Sequence, residues 1–381
     1  MEKKILFTAS TYSHIVRFHR PYLRAFAQQG WTVDAACGGV PMDIPECRRV
    51  IHLPLEKSIA APANFKAAAL LRRELKAEGY SLISTHTSLA AFFTRLAAHS
   101  LETKVVNTCH GYLFDDDTPA PKRALLLEAE RLTARGTDLL LTMNQTDFQI
   151  AEKYHLGKEI LSIPGMGVDF SSLDACPPTA GELLRAELAL PEDAFALLYP
   201  AEFSSRKSQT TLLRALTLLP EDVFLLLPGD GSLLDECKAL ARRLGIERRV
   251  RFPGNVEGMA PWYAAADCAV SASRSEGLPF NVMEAMHTGL PVVATAVKGH
   301  IDLIRDGVNG FLFPYGNATA CADKIRLLRS DRVLAKELGR RGAEDSEMYR
   351  LESVLPQVFS AYQAVVPGLA PEPSFSSASI R

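Results

Sequence analysis

The sequence predicts an α/β protein made of two Rossmann-like, doubly wound domains. Three observations carry this. Apolar runs of roughly four to eight residues recur, each followed by an amphipathic stretch of helical period, which is the rhythm of a parallel sheet with crossover helices. At 381 residues the chain is longer than one hydrophobic core usually serves. A Pro-rich step, Cys176-Pro177-Pro178, separates two blocks of that rhythm.

Composition narrows the function classes. With 47% hydrophobic and 23% charged residues the chain has ample material for a core. A net charge of −2 excludes a global nucleic-acid signature. The first hundred residues hold 13 Lys and Arg against 7 Asp and Glu, so that half is locally basic. Seven scattered cysteines, with no Cys-x-x-Cys and no His/Cys spacing suited to zinc, fit reduced core thiols in the cytosol. No apolar run reaches the ~18–20 residues of a membrane span. Met1-Glu-Lys-Lys-Ile-Leu-Phe runs straight into a strand, so no signal peptide is expected.

In the first half, Lys4–Ala9 is a strand buried on both faces. Ser10-Thr11-Tyr12-Ser13-His14 leads into a helix expected over Ile15–Gln29 and closed by Gly30, then Trp31–Ala36 is a second strand. This βαβ start lacks Gly-x-Gly-x-x-Gly, so a dinucleotide fingerprint is absent. Asn64–Lys76 is a helix with Lys66, Arg72, Arg73 and Lys76 around Leu70, Leu71 and Leu75, a pattern of a solvated surface helix or of one lying on anionic lipid. Ser81–Thr85 is a strand ending in His86-Thr87-Ser88, followed by helix Leu89–Ala98. Lys104–Thr108 is a strand ending in Cys109-His110-Gly111-Tyr112. Both histidines thus fall at strand carboxyl ends, where ligands bind in open α/β sheets. Asp115-Asp116-Asp117 contains an Asp-x-Asp, read as a solvated or acceptor-side loop rather than a metal site. Helix Lys122–Thr133 carries Glu128. After strand Thr137–Met143, Asn144 and Asp147 form a capping-box-like helix start. Glu159–Ile163 closes the first half.

In the second half, strand Ala194–Pro200 leads to a polar loop, Ala201–Gln209, and helix Thr210–Leu219. Strand Val223–Leu227 leads to Pro228-Gly229-Asp230-Gly231-Ser232, a tight turn without the Gly-Lys-Ser/Thr ending of a P-loop. Helix Leu233–Leu244, strand Arg249–Phe252 and helix Met259–Ala266 follow. Then come strand Asp267–Ala272, a Gly/Pro loop, and a helix from Phe280 to Thr288 closed by Gly289. That helix start aims backbone N–H groups at the loop and suits phosphate. Helices are expected over Ala318–Leu328, Leu334–Glu347 and Leu351–Val365, and disorder from Pro367.

The loop and helix starting at Ser273 hold two glutamates eight positions apart, Glu276 and Glu284. This stretch resembles the Glu-x7-Glu motif of retaining family 4 glycosyltransferases of the GT-B fold. Gly289-Leu-Pro-Val-Val-Ala-Thr295, Gly299-His-Ile-Asp302 and Asp306-Gly-Val-Asn-Gly310 match as well. The likeness covers most of the chain and is nearest to the branch that builds capsular, exopolysaccharide and lipid-linked glycans. It implies that Glu284 holds the ribose hydroxyls of a nucleotide and that Glu276 lies beside the donor sugar. It implies that His110 contacts that sugar, that Lys207 and Arg206 grip the diphosphate, and that Gly254, Asn255 and Val256 meet the base through backbone. Ser10, Thr11 and Ser13 replace the Gly-rich turn of many relatives. The branch often carries a Ser-His such as Ser13-His14 here, which makes His14 a candidate contact, and Gly277, Leu278, Phe280 and Asn281 complete the donor loop. Glu202 stands where many relatives have an Arg, which weakens the two-pronged clamp but not Lys207.

The resemblance implies two domains facing a cleft: an acceptor domain over 1–170, a nucleotide-sugar domain over 171–350, and a helix over 351–366 crossing back, before a tail over 367–381. The expected reaction is hexosyl transfer with retention from a nucleotide sugar, with UDP favoured over GDP, to a glycan or polyprenyl-linked acceptor. His110, Glu276 and Lys207 are the expected catalytic residues. No metal or other cofactor is expected. The place is cytoplasmic, with peripheral contact at the inner face of a membrane through the basic first domain. A sugar-nucleotide epimerase of the same fold and a non-catalytic assembly subunit are the rival readings.

Overall fold

The computed structural model describes residues 3–115 and 118–366. Asp116 and Asp117 of the Asp-x-Asp run, and the tail over 367–381, lie outside the described residues. The chain divides into two compact units. One takes in the chain through Gly167 together with the segment from Glu352, and the other is Val168–Leu351.

The first unit is built on a sheet of seven strands: β1 (Lys4–Ala9), β2 (Thr32–Cys37), β3 (Arg49–His52), β4 (Leu82–His86), β5 (Lys104–Cys109), β6 (Leu139–Thr142) and β7 (Glu159–Ser162). They lie in the order β3-β2-β1-β4-β5-β6-β7. The second unit has six: β8 (Phe195–Leu198), β9 (Val223–Pro228), β10 (Val250–Gly254), β11 (Cys268–Ser271), β12 (Val292–Thr295) and β13 (Phe311–Phe313), in the order β10-β9-β8-β11-β12-β13. Every strand pair is parallel. Both units are therefore doubly wound α/β domains, and the strand order reverses at β1/β4 and at β8/β11.

A parallel sheet with helices on both faces needs apolar side chains on both, so its strands read as continuous runs rather than alternations. All six positions of β9, Val-Phe-Leu-Leu-Leu-Pro, are buried. Burying one such large side chain contributes about 1.5–3 kcal/mol, and the core of this unit joins β8, β9 and β11 to helices Gln209–Leu216 and Ala318–Ser330. In the first unit helix Leu351–Val365 fills the sheet face: Phe359 and Tyr362 pack on Phe26, and Tyr362 shares a 2.5 Å hydrogen bond with Ser84.

Three features depart from the sequence expectation. The helix expected over Ile15–Gln29 is two helices, Tyr12–Phe18 and Arg20–Gln28, broken at His19. Pro21 lies in the first turn of the second helix, where its missing N–H costs nothing, whereas one continuous helix would lose a bond there. Strand β3 was not foreseen, because Arg-Val-Ile-His is short and carries charge. It pairs with β2 along its length, with Ile51 half-buried on the core, and an ionic cluster adds to that hold. Asp34 on β2 is fully buried and receives Arg48 through two bonds (3.1 and 2.5 Å), Arg49 (3.3 Å) and the Tyr80 hydroxyl (2.6 Å). Burial pushes the Asp34 carboxyl up, but these partners outweigh it and hold it below the usual range. The three-residue β13 also escaped the pattern. As expected, the Asn144 side chain caps its helix, accepting from the Asp147 N–H at 2.8 Å.

Helix Arg332–Ser346 seats the end of the helix that carries Glu284. Its Gly339 lies so close that an added Cβ would stand 1.9 Å from the Gly289 carbonyl oxygen. Overpacking of this kind costs about 1–3 kcal/mol and better helix propensity returns about 1. Because the clash is with a backbone oxygen, the cost sits at the top of that range, and Gly339→Ala is expected to lose about 2 kcal/mol of stability in urea unfolding; an unchanged midpoint would show that the two helices separate freely.

Candidate active site

In the second unit the loops after β8 and β11, the two strands at the reversal of order, meet at one buried carboxylate. Lys207 follows β8 and Glu276 follows β11. Lys207 Nζ lies 2.5 Å from Glu276 Oε1, and Arg206 Nη1 lies 2.9 Å from Oε2. Glu276 and Lys207 are almost wholly enclosed, with side-chain exposures of 7% and 12%, while Arg206 is half-exposed. Burial pushes the Glu276 carboxyl up, but Lys207 and Arg206 outweigh it and hold it below the usual range. Burial also lowers Lys207, with Glu276 opposing.

The backbone fixes this arrangement. Arg274 N–H donates to the Arg206 carbonyl at 2.8 Å, tying the two loops together. The Tyr199 hydroxyl bonds the Lys207 carbonyl (3.0 Å) and Ser273 (2.8 Å). Gly299, at φ +81°, turns the chain against Glu276, where a Cβ would meet the Gly277 oxygen at 2.8 Å. His300 beside it is held by Ser271 and Thr295 and pushed down to about 4 by burial. Gly229 presses on the Ala201 carbonyl, which leaves no room for a side chain and steadies the loop before Arg206. Exposed Glu202 lies outside the paired group, yet its charge, like that of Glu276, favours the charged form of Lys207.

Glu284 sits on helix Phe280–His287, whose N-terminus has no side-chain cap. Asn281 pins that helix to the end of β8 by donating to the Pro200 carbonyl at 3.2 Å. The buried Tyr263 hydroxyl bonds Glu284 Oε2 at 2.7 Å, which fixes one carboxylate oxygen and leaves the other to accept. Burial raises the Glu284 carboxyl above its ordinary value, with the Tyr263 bond opposing. Two glutamates on one motif are thus pushed in opposite directions. Gly254, Asn255 and Val256 end β10 on the same sheet edge, and Gly254 accepts from Gly229 N–H at 2.7 Å. Gly277 and Leu278 complete the loop into the helix.

In the first unit, Ser13, His14 and His110 also lie past strand carboxyl ends. His14 Nε2 is 3.4 Å from His110 Nε2, which is 3.2 Å from His86 Nδ1. His19, at the helix break, stacks on His86 with ring centroids 3.7 Å apart. Burial pushes His14 down to about 4 and lowers the other three rings. All four are neutral at pH 7. Ser13 bonds Thr11 (3.1 Å) and does not touch the rings. Asp115 caps its own turn through Thr118, and Glu128 pairs with Arg131 on an exposed helix face. None of the seven cysteines is joined in a disulfide. Sequence reasoning missed Tyr263, His19 and His300. Tyr263 and His19 stand in or beside apolar helices with no spacing signal, whereas His300 lies within the matching Gly299-His-Ile-Asp302 stretch and was not singled out.

Removing one member of a buried ion pair leaves a stranded charge and costs about 3–5 kcal/mol. Glu276→Gln is expected to lose roughly 3 kcal/mol at pH 7 by that argument. Because the Glu276 pKa is lowered in the fold, its contribution is present above the unfolded carboxylate value and is lost as pH falls through the folded one. Glu284 has the opposite sign. Its contribution is intact below the unfolded value and is lost as pH rises through the raised one, so Glu284→Gln should stabilise the free protein at pH 7–8 and not below about pH 4. Urea midpoints across that range check both signs.

A family model described as Glycosyl transferases group 1 matches residues 181–345, and one described as Glycosyltransferase Family 4 matches residues 21–171. The chain is 32% identical over 372 residues to a protein named glycosyltransferase EpsD from Bacillus subtilis, covering 95% of this chain and 97% of that one. In structure it is similar to Anabaena Alr3699/HepE in complex with UDP and glucose, with TM-score 0.79 and 21% identity over 95% of this chain and 100% of that one. It is also similar to WaaG, a glycosyltransferase involved in lipopolysaccharide biosynthesis, with TM-score 0.73 and 18% identity over 96% and 100% of the chains. These two likenesses give the fold, GT-B. With each half matched by a family model and a relative aligned over nearly the whole length, the chain belongs to the group 1, family 4 glycosyltransferases, enzymes that transfer a sugar from a nucleotide-sugar donor.

Proposed function

We propose that the chain moves a hexosyl group, with retention, from a UDP sugar to a glycan or lipid-linked glycan acceptor in surface polysaccharide synthesis. One observation carries the reading: the cationic pair Lys207 and Arg206 converges on Glu276 at the strand reversal of the second unit, with Tyr263-bound Glu284 on the helix that follows. A leaving diphosphate gains charge in the transition state, and fixed donors that meet that charge speed the step. Lys207, Arg206 and the backbone N–H groups at the start of helix Phe280–His287 are such donors. They offer the charge compensation that a metal would otherwise supply, so no metal is required on this reading.

Glu284 presents its free oxygen to the ribose hydroxyls and Glu276 lies beside the sugar. The acceptor oxygen bonds the anomeric carbon on the face from which the phosphate oxygen departs, and the acceptor proton passes to that phosphate. No side-chain base is needed. His110 and His14, neutral at pH 7, suit hydrogen bonds to sugar hydroxyls. UDP in the HepE complex and the lipopolysaccharide role of WaaG favour this donor and this pathway class.

The acceptor side of the proposal rests on the first unit. A groove of about 940 Å³ runs between helices Pro62–Glu78, Ser88–Ala98 and Ala120–Ala134. Phe65, Leu125 and Leu132 stand 55–69% exposed along it, with Arg131 and Arg135 at its wall. Exposed apolar side chains with Arg135 and the Glu128-paired Arg131 beside them fit the surface of an anionic membrane that carries a lipid-linked acceptor. No helix among the described residues is long and apolar enough to cross one.

Calorimetric titration with UDP and GDP tests the donor. UDP should bind, and Glu284→Ala should weaken it by about 1.5–3 kcal/mol, the worth of a hydrogen bond to a charged group. Preference for GDP would change the donor class, and binding of neither would sink the reading. Sedimentation with anionic vesicles should capture the protein at low salt and less at high salt, and Leu125→Asp with Leu132→Asp should abolish capture. Vesicle-independent behaviour would remove the membrane from the proposal.

A further inference from the structure

We propose that His14, His19 and His110 form a binding site for a divalent d-block cation, with Zn²⁺ the reference ion. One ring nitrogen from each lies within 4.8 Å of those of the other two. The three come from separate places. His14 follows β1 on the first short helix, His19 occupies the break before the second, and His110 follows β5. The strand order brings the ends of β1, β4 and β5 side by side, and His86 at the end of β4 backs the group.

Packing alone leaves these rings poorly satisfied. A neutral imidazole carries one N–H donor and one lone pair. His19 is fully buried, and neither of its ring nitrogens has a hydrogen-bond partner among the described residues. His110 Nε2 has two ring nitrogens beside it, His86 Nδ1 at 3.2 Å and His14 Nε2 at 3.4 Å, yet a single nitrogen offers either one proton or one lone pair. Leaving a buried polar group unpaired costs as much as its hydrogen bond is worth. A cation that takes one lone pair from each ring gives His19 a partner at one of its two nitrogens and relieves that part of the cost.

The geometry suits a small tetrahedral ion. Zinc–nitrogen bonds of about 2.0–2.1 Å place tetrahedral ligand nitrogens roughly 3.4 Å apart, and His14 and His110 already stand at that separation. Both are half-open to solvent, so their rings have room to turn toward His19. Imidazole ligands select zinc, copper, nickel or iron rather than magnesium or calcium. Three protein ligands leave a fourth position for water or an incoming group. The inference concerns the first unit alone, and it shares His14 and His110 with the sugar contact of the proposed function, so at those nitrogens a bound cation and that contact exclude one another.

The test is titration of chelator-treated, dialysed protein with ZnCl₂ by calorimetry and with CoCl₂ by visible absorption. The expected result is one equivalent of zinc and the intense bands of four-coordinate cobalt. His14→Gln and His110→Gln should each weaken zinc by more than the roughly 10–100-fold that loss of an outer ligand partner costs. His52→Gln, at the exposed end of β3, should leave zinc affinity unchanged. His19→Asn should abolish the cobalt bands. If that buried substitution unfolds the protein by circular dichroism, the two half-open variants decide. Absence of zinc binding, six-coordinate cobalt spectra, or affinity unmoved in both His14→Gln and His110→Gln would overturn the site. MgCl₂ in place of zinc should give no heat. UDP binding, read separately on Glu284→Ala, tells failure of this inference from failure of the donor assignment.

Discussion

In each sheet the chain starts at the centre and winds outward, first to one side and then to the other. Crossover connections from neighbouring central strands leave toward opposite faces, so a crevice opens between them at the carboxyl edge. The candidate side chains sit at that crevice. Lys207 and Glu276 follow β8 and β11, which are hydrogen-bonded neighbours. His14 and His86 follow or end β1 and β4, which are neighbours in the other sheet. The distance between Lys207 and Glu276 is therefore a property of topology before it is one of side-chain choice. Residues 69 positions apart are brought within 2.5 Å because two parallel strands must end together.

The two glutamates show what that placement does to chemistry. Both carboxyls are buried, and burial alone raises both. Glu276 faces two cations and stays below the ordinary range, while Glu284 faces a neutral hydroxyl and stays above it. One group is held as a fixed anion that ties cations in place. The other is a less settled carboxylate whose charge costs free energy until donors reach it. A ligand with vicinal hydroxyls supplies such donors, so the strain at Glu284 favours binding.

Much of this was legible in the sequence, and the reasons it was incomplete are specific. The strands of a doubly covered sheet are apolar throughout, so β1, β8, β9 and β11 could be read directly. β3 could not, since part of its hold on the sheet comes from Arg48, Arg49 and Tyr80 around Asp34, residues far apart in the chain. The helix break at His19 did have a signal in Pro21, overridden by the apolar period on either side. Glu276, Glu284 and Lys207 were found through a motif. Tyr263 was not, because a tyrosine in a short apolar helix looks like core until its hydroxyl is seen on Glu284. The histidine group spans positions 14 to 110, and no local spacing announces it.

The two crevices also differ in electrostatic kind. That of the second unit is ionic: Lys207 and Arg206 face Glu276, Glu202 also acts on Lys207, and the adjoining helix start turns its positive end to an incoming anion. That of the first unit is lined by neutral imidazoles kept uncharged by burial. A diphosphate is favoured by the first kind of environment, and a neutral hydroxyl-bearing ring or a soft cation by the second. The same topology, used twice, thus yields one surface suited to the leaving group and another suited to what carries no phosphate. The difference rests on a few side chains at the strand ends rather than on the folds beneath them.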